Sequence, residues 1–588
     1  MVWTQKALAP LDFLRFRSAS CSGNNVFIFE KEVKGRRYRM AGISERVPGK
    51  EHPVSRQVCL GPVETDEPIV PSRCEVAGTR RVGDVGALLW VAERVGVLAA
   101  FEAVIARRGD GPSLGEMILA VALQRVSAPG SKSELPAFVA SCVPRVSLRP
   151  AGEFSGGQFH RVTRDISEAH YDLIQQAVAQ RACEEFELQT DVLAFDTTNF
   201  DTFIATDTDG KLAKRGHAKS KRSDLRIVGL ALMTSGTWSI PLFHRSYPGN
   251  ESDKTVLNKS LRALAHLHDS FKPASRTVVR DGGFSGDQLE LDLVQSGFHS
   301  LTALPLNHTL SREALLAAVG HMRRLPGKLA DIRAFRCLGE LDGQKRALVV
   351  MESPELLKGQ LRGMKKAKRR ALQWLRQAQE RLQEQRKGRL RGKRATLTSL
   401  KKKADELLRK EHLSEFLHVK LDGTETEPTL SYECDGEARR KLIRERLGKR
   451  VLVTDQVAWS TVRIARAFRS QWKVERAFRR MKRGGISPWG PSFQWTDDSI
   501  RAHTFAVVLG LQLASLVALH MNRAGIKGST KRSLATLKKI RLEVLRERTG
   551  ARGRPREILV PRRIEPHAAR AAKIFELEKW GNIFPLHP

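Results

Sequence analysis

Three acidic residues stand where chemistry on a phosphate could be done. Glu475 lies in the stretch Phe468-Arg469-Ser470-Gln471-Trp472-Lys473-Val474-Glu475-Arg476-Ala477-Phe478-Arg479-Arg480-Met481-Lys482. Read as one helix, this stretch aligns Phe468, Gln471, Glu475, Arg479 and Lys482 on one side, with the carboxylate one turn from Arg479 and two from Lys482. Acids and bases usually alternate on a solvated face. A lone carboxylate among cations and aromatics fits a different division of labour, in which the acid holds a divalent metal and the cations hold phosphates.

Such a carboxylate needs partners. The apolar run Val192-Leu193-Ala194-Phe195 ends in Asp196, and Thr277-Val278-Val279 runs through Arg280 into Asp281. Both read as buried strands that stop at an aspartate. In open sheets ligands gather at the carboxyl ends of parallel strands, so Asp196 and Asp281 are expected to meet in one crevice. Oxygen donors of this kind suit Mg²⁺, or Mn²⁺ in its place, and a hard cation on carboxylates suits catalysis at phosphates. The competing reading is bland: aspartates after strands usually form turns or caps, as Asp191, Asp201, Asp207, Asp209 and Asp287 nearby would, and a helical Glu usually pairs with basic neighbours. No histidine has a second one at i+3 or i+4 among His217, His244, His299 and His503, which argues against zinc.

The ordered set Asp196, Asp281, Glu475, with Phe195-Asp196-Thr197-Thr198 around the first and Asp281-Gly282-Gly283-Phe284-Ser285-Gly286-Asp287 around the second, resembles the DDE transposases of bacterial insertion sequences. More narrowly it resembles the group whose last acid lies in a Tyr, Arg, Glu, Lys signature with two, three and six residues between successive members. The likeness runs from about Arg81 to about Leu519 and includes Arg450 to Asp455 and Phe493 to His503. Two positions depart from the signature: its Tyr is Phe468 here and its Arg is Gln471, while Glu475 and Lys482 keep their spacing.

The resemblance implies an α/β fold: an RNase H-like mixed sheet as catalytic core, with an inserted domain before the glutamate and N-terminal β-rich and helical modules. It implies two Mg²⁺ ions on Asp196, Asp281 and Glu475. Water would first cut one strand at the element's end, and the freed 3′-OH would then attack target DNA. Lys482 and Arg479 would position the backbone, with Trp472, Arg469 or Arg479 covering for the two departures; Trp472, Trp489 and Trp495 are candidates for stacking on an unpaired base. The partners implied are terminal inverted repeats, target DNA and a second copy of the chain in a synaptic dimer. Two other readings stay open: a transposase-derived DNA-binding protein that has lost catalysis, and an RNase H-like nuclease that cuts without strand transfer.

Composition supports a polyanionic partner. Across 588 residues, 101 Lys and Arg face 64 Asp and Glu, a net charge of +37 that favours salt-sensitive nucleic-acid binding. The same surplus would suit a ribosomal, membrane-surface or chromatin protein, so only the acids suggest an enzyme. The seven cysteines form no Cys-x-x-Cys pair, which excludes a zinc ribbon and favours a reducing compartment. The first residues lack the apolar run of a signal peptide, and Phe505 to Leu519 is too short to span a bilayer, so it is expected as a buried helix. A cytoplasmic, nucleoid-associated bacterial protein without a membrane partner is predicted.

The elements that must position the acids fall into expected domains. Residues 1–78 read as a small β-rich module and 79–188 as helical and able to recognise a DNA end. Residues 189–310 read as the first half of the core, 311–449 as the insertion, 450–520 as the second half and 521–588 as a basic C-terminal region. The core order β-β-β-α-β-α-β is predicted from strands at Asp196, Arg226–Thr234 and Ser239–Ser246, a helix from Asp253 to about Ser270, the Asp281 strand, and Ser300–Leu304. The span between Asp281 and Glu475 is too long for a loop. Its Lys358 to Lys403 segment carries eighteen Lys and Arg against Glu380 and Glu384. Leu372, Leu375 and Leu382 give it a narrow apolar stripe, and Lys365, Lys366, Lys368, Arg369 and Arg370 are the expected phosphate contacts. Gly550 to Arg556 reads as a minor-groove arm or a basic linker.

Overall fold

Contacts divide the chain into two units, Met1–Pro273 with Trp472–Pro588, and Ala274–Gln471. The computed structural model describes residues 25–580 without 35, 46–51, 53, 63–73, 144–148, 206–207, 237, 253–254, 261–275, 283–291, 294, 342, 391, 548–556 and 563. The proposed arm at 550–556, most of the 253–270 helix and the residues that follow Gly282 lie outside these.

In chain order, β1 (Asn25–Val33), β2 (Arg36–Glu45), β3 (Val54–Pro62) and β4 (Cys74–Arg81) come first. Helices α1 (Gly83–Arg94), α2 (Val97–Val104), α3 (Leu114–Ser127), α4 (Leu135–Ala140), α5 (Gly156–Thr163) and α6 (Glu168–Glu185) follow. Then come β5 (Val192–Thr202), β6 (Arg226–Thr234), β7 (Pro241–Pro248), β8 (Arg276–Arg280) and β9 (Phe298–Leu304). After α7 (Thr309–Ala317) the chain forms β10 (Arg323–Arg324), β11 (Arg333–Leu341), β12 (Gln344–Glu352), α8 (Pro354–Arg386) and α9 (Leu397–Leu408). Next are β13 (Leu417–Gly423), β14 (Pro428–Cys434), α10 (Gly436–Glu445), β15 (Lys449–Thr454), α11 (Thr461–Arg469) and α12 (Trp472–Met481). The last elements are α13 (Asp497–Arg523), α14 (Thr530–Lys538), β16 (Arg541–Glu547), β17 (Glu557–Pro561) and α15 (Pro566–Ile574).

In the first unit, α13 is apolar nearly all round and buried along almost its whole length, as expected of Phe505 to Leu519. It packs against α1, α3, α5, α12, α14 and β7. The strands β5, β6 and β7 form an antiparallel meander in which Asp196 pairs with Leu232. This corrects one expectation: Asp196 does not end its strand. The Thr-Thr-Asn-Phe-Asp-Thr run after it is rich in β-branched and aromatic residues and carries β5 on to Thr202. The ends of the chain are also joined differently from the expected division. β4, mostly from the stretch assigned to the N-terminal module, pairs with β16, which pairs with β17, so part of the basic region 521–588 joins a sheet with β4. Leu542 and Val544, buried on one face of β16, drive that pairing.

In the second unit the strand order is β10-β11-β12-β15-β9-β8, with β8 and β9 parallel and the other pairs antiparallel. The hairpin β11–β12 extends this sheet because Ala347, Leu348, Val349 and Val350 are buried on both faces. The chain from α8 to α10 builds a core of its own, in which Met364, Leu375 and Leu382 meet Leu413, Phe416 and Leu442. The mixed sheets and many helices make an α/β fold, consistent with an RNase H-like core.

The crossing of α13 and α3 is set by Gly510, where a Cβ would stand 3.0 Å from the Ala122 carbonyl oxygen and 3.1 Å from Val126. Gly510→Val is expected to cost about 1–3 kcal/mol through overpacking, read as a drop in thermal midpoint of the full chain. An unchanged midpoint would mean that the two helices yield freely there.

Candidate active site

Glu475 stands on α12, whose inner face is apolar except for the buried Arg480. Val474, Ala477, Phe478 and Met481 share a core with Ala194 and Phe200 of β5, and with Val228, Leu230 and Leu232 of β6. Glu475 and Arg479 are thereby turned outward, 60% and 62% exposed, with their charged ends 3.7 Å apart. Because side chains alternate along a strand, Asp196 shares the face of β5 that carries Ala194 and Phe200, the face on which α12 packs. Its Oδ1 accepts the Thr197 N–H at 2.8 Å.

The expected single helix from Phe468 to Lys482 does not exist. α11 ends at Arg469, the chain turns at Ser470 and Gln471, and α12 begins at Trp472. Both helices are strongly amphipathic, and sequence spacing alone runs through the break between them. Phe468 is buried at the end of α11, with the Arg450 guanidinium 6.0 Å from its ring, so it shares no face with Glu475. Lys482 is exposed just past the end of α12. Arg469 pairs with Asp331 at 3.4 Å, a competitor for any phosphate. Of the aromatic candidates, Trp489 belongs to the core: it is 1% exposed, stacks on Phe200 at 5.0 Å, and donates from Nε1 to Thr504 Oγ1 at 3.0 Å. Trp472, with Arg476 5.6 Å from its ring, and Trp495 are exposed.

Asp281 belongs to the second unit. It follows β8 directly, as expected, and is exposed, with its Oδ1 accepting the Gly282 N–H at 2.9 Å. The strand under it is anchored by a buried charge cluster. Arg280 is fully buried and donates to Ser300 Oγ at 2.8 Å. Asp455 accepts from the Ser300 N–H at 2.9 Å, lies 2.7 Å from His299 Nδ1 and 3.9 Å from Arg346. Burial pulls the Arg280 guanidinium down to about 9, against the stabilising pull of Asp455.

Among the described residues, no group of three or more His, Cys, Asp or Glu side chains gathers as a metal site. Asp196 and Glu475 lie in the first unit and Asp281 in the second. The three are all carboxylates, a donor chemistry that fits Mg²⁺ or Mn²⁺ and does not favour softer metals.

Sequence reading missed how the basic loop after β5 is held. The Lys219 Nζ donates to the Thr197 carbonyl oxygen, next to Asp196, and Asn199 bridges to the His217 carbonyl and the Lys219 N–H, each at 2.9 Å. At the other end Asp497, in the first turn of α13, accepts the N–H groups of Lys211 at 2.7 Å and Leu212 at 3.0 Å. The run of Lys and Arg was legible, whereas a carboxylate nearly three hundred residues later in the chain gave no local signal.

The transposase DDE domain family model matches residues 188–487, just over half of the chain, and the chain belongs to this family. It is a DDE transposase, an enzyme that cleaves DNA and transfers strands. No curated protein matches it. Among solved structures it is similar to the piggyBac transposase synaptic complex with hairpin DNA, at 11% identity over 79% of this chain and 81% of that one, with a TM-score of 0.38.

Asp497→Ala removes the shared acceptor of the Lys211 and Leu212 N–H groups. Charge-assisted hydrogen bonds contribute about 1.5–3 kcal/mol, so local opening of the 211–222 loop should rise at least about tenfold. Limited trypsin digestion, followed by mass spectrometry of cuts after Lys211 to Arg222, would show it; an unchanged cleavage rate would mean that Asp497 does not hold the loop.

Proposed function

We propose that Asp196, Asp281 and Glu475 are the catalytic acids of this transposase and hold Mg²⁺ or Mn²⁺, acting on the ends of a bacterial insertion sequence. The observation that carries this reading is the packing of α12: the helix buries its apolar side on β5 and β6, turns Glu475 to solvent, and lies on the strand face that bears Asp196. A bound divalent cation supplies charge neutralisation at the scissile phosphate and a lowered pKa for attacking water. Arg479 and Lys482 hold non-bridging phosphate oxygens beside Glu475. In the first displacement water forms a P–O bond as the P–O3′ bond breaks; the attacking water gives up a proton to solvent and the leaving 3′-oxygen takes one up, freeing a 3′-OH and a 5′-phosphate. In the second the freed 3′-OH loses its proton and attacks a target phosphate in line, forming a new P–O3′ bond as the target's own P–O3′ bond breaks and its 3′-oxygen takes up a proton, so no covalent enzyme intermediate is required. Trp472 and Trp495, exposed as they are, remain candidates for stacking on an unpaired base. Joining two ends calls for two copies of the chain on terminal inverted repeats, in a cytoplasmic, nucleoid-associated setting.

The expected phosphate contacts of the inserted body lie on α8. Lys358, Arg362, Lys365, Lys366, Arg369 and Arg376 fall on one side of the helix, related by separations of three, four and seven, and are all exposed. They form a stripe about 27 Å long at 1.5 Å per residue. Among the described residues none of the six pairs with a carboxylate. Arg370 is also exposed, whereas Lys368 is half-buried with its ammonium 5.9 Å from the Phe416 ring, and so serves the core more than the stripe. Unpaired cations of one sign along one helix face suit a DNA backbone.

Asp196→Asn, Asp281→Asn and Glu475→Gln should each reduce Mg²⁺-dependent end cleavage below detection while changing DNA affinity by no more than a few-fold. Retained cleavage by any one variant would remove that residue from the site. Replacing Lys358, Arg362, Lys365, Lys366, Arg369 and Arg376 by Gln together should weaken binding and reduce the slope of log affinity against log salt by roughly 3 to 5. A slope equal to that of the wild type would make the stripe a merely solvated face.

A further inference from the structure

Behind Glu475, in the first unit, α12, α14 and the turn at Gly484–Ile486 line an open cavity of ≈ 420 Å³ whose walls are strongly positive. Arg476 and Arg479 line it from α12, Lys531 and Lys538 from α14, and among the described residues no acidic side chain lines it. The nearest opposing charges are Glu475, 3.7 Å from Arg479, and Asp84, whose carboxylate acts on Lys538. Arg480 also reaches the wall, but its guanidinium is turned inward, donating to the Trp238 carbonyl oxygen at 3.2 Å and to Ser515 Oγ at 3.3 Å. The Lys538 ammonium is held by the Val126 carbonyl oxygen at 3.3 Å.

The first turn of α14 also opens here. Ser529 caps the helix through the Arg532 N–H at 3.3 Å, and the N–H groups of Thr530 and Lys531 have no acceptor within the helix. Helix N-termini with exposed N–H groups attract anions. An independent feature points the same way: Thr530 lines the cavity, is fully buried, and its Oγ1 has no hydrogen-bond partner. A buried hydroxyl without a partner costs about 1–3 kcal/mol, and an acceptor in the cavity would satisfy it. Four cations repel a metal ion, and no aromatic ring lines the walls to stack a base, so the chemistry left is a phosphate.

We propose that this cavity is a phosphate subsite for a DNA strand, receiving a backbone or terminal phosphate of the strand whose scissile bond lies at Glu475; the position of that bond rests on the reading of Glu475 as catalytic. Arg479 links the two places, since it lies beside Glu475 and also lines the cavity.

The test uses the full chain in EDTA with a fluorescent DNA duplex, and measures affinity across a salt series. Lys531→Ala should weaken binding three- to tenfold and reduce the salt slope by about 1, and Thr530→Val should weaken it three- to tenfold with no change of slope. Arg532→Ala removes the same charge one position along, outside the cavity, and should stay within about twofold. Equal effects of Lys531→Ala and Arg532→Ala would overturn the subsite, because surface charge alone would then account for both. Inorganic phosphate should raise the melting temperature of the wild type and not of Lys531→Ala. If it does so while Lys531→Ala binds DNA normally, the cavity takes free phosphate and the proposal fails. Thermal melting of each variant shows that it is folded. If the wild type shows no metal-dependent cleavage yet Lys531→Ala binds as expected, the catalytic reading falls and the DNA subsite stands.

Discussion

Burial of α13 is the constraint on which the first unit depends. A helix of 27 residues with almost no polar face must be surrounded, and α12, which carries Glu475, is one of the elements that surround it. The chain after α12 is tied to it by polar bonds as well as by packing. Ser487 Oγ donates to the Val507 carbonyl oxygen at 2.8 Å, Trp489 Nε1 to Thr504 Oγ1 at 3.0 Å, and His503 Nε2 lies 2.8 Å from the Trp489 carbonyl oxygen. Arg125 of α3 donates from Nε to the Pro488 carbonyl oxygen at 2.8 Å. Each buried bond adds only about 0.5–1.5 kcal/mol net, yet leaving any of these carbonyls or hydroxyls unpaired would cost more, so they fix geometry more strongly than they add stability. The consequence is that the end of α12 and the loop after it cannot shift without disturbing α13.

Two populations of cations do different work within the large positive charge. Arg125, Arg280 and Arg480 are buried and spend their donors on carbonyls and hydroxyls of the fold. Burial lowers their pKa values to about 10, 9 and 10, without bringing the guanidinium near deprotonation at neutral pH. The exposed cations of α8, and those around the α12–α14 cavity, are arranged on faces with few acids. Net charge alone could not separate these groups; a residue's burial and its partners do.

The legibility of the chain follows from how local each signal is. β6 at Arg226–Thr234 was readable because nine residues of consistent pattern decide it. The stripe of α8 was readable for the same reason, although its buried members include Met364, Ala371 and Ala378 beside the leucines. The break at Ser470–Gln471 was not readable, since neither residue is Gly or Pro and the periodicity continues across it. Asp196 was placed at a strand end because its apolar run stops there, whereas the strand continues on threonines. The pairing of β4 with β16, the anchoring of the 211–222 loop by Asp497, and the cavity between α12 and α14 join residues far apart in the chain, and no local pattern encodes them.

The break between α11 and α12 bears on the site itself. Had the two been one helix, the orientation of Glu475 would be inherited from Phe468, which is buried in the second unit's α11. With the turn in place, the rotation of α12 is set by Val474, Ala477, Phe478 and Met481, which pack on β5, β6 and α13. Each residue of a helix advances about 100°, so a one-residue slip would turn Glu475 toward the core and bring an apolar side chain to solvent. Burying that carboxylate without a partner would be costly. The apolar face of α12 therefore holds the glutamate outward, and departures at Phe468 and Gln471 can be tolerated by the core without changing where Glu475 points.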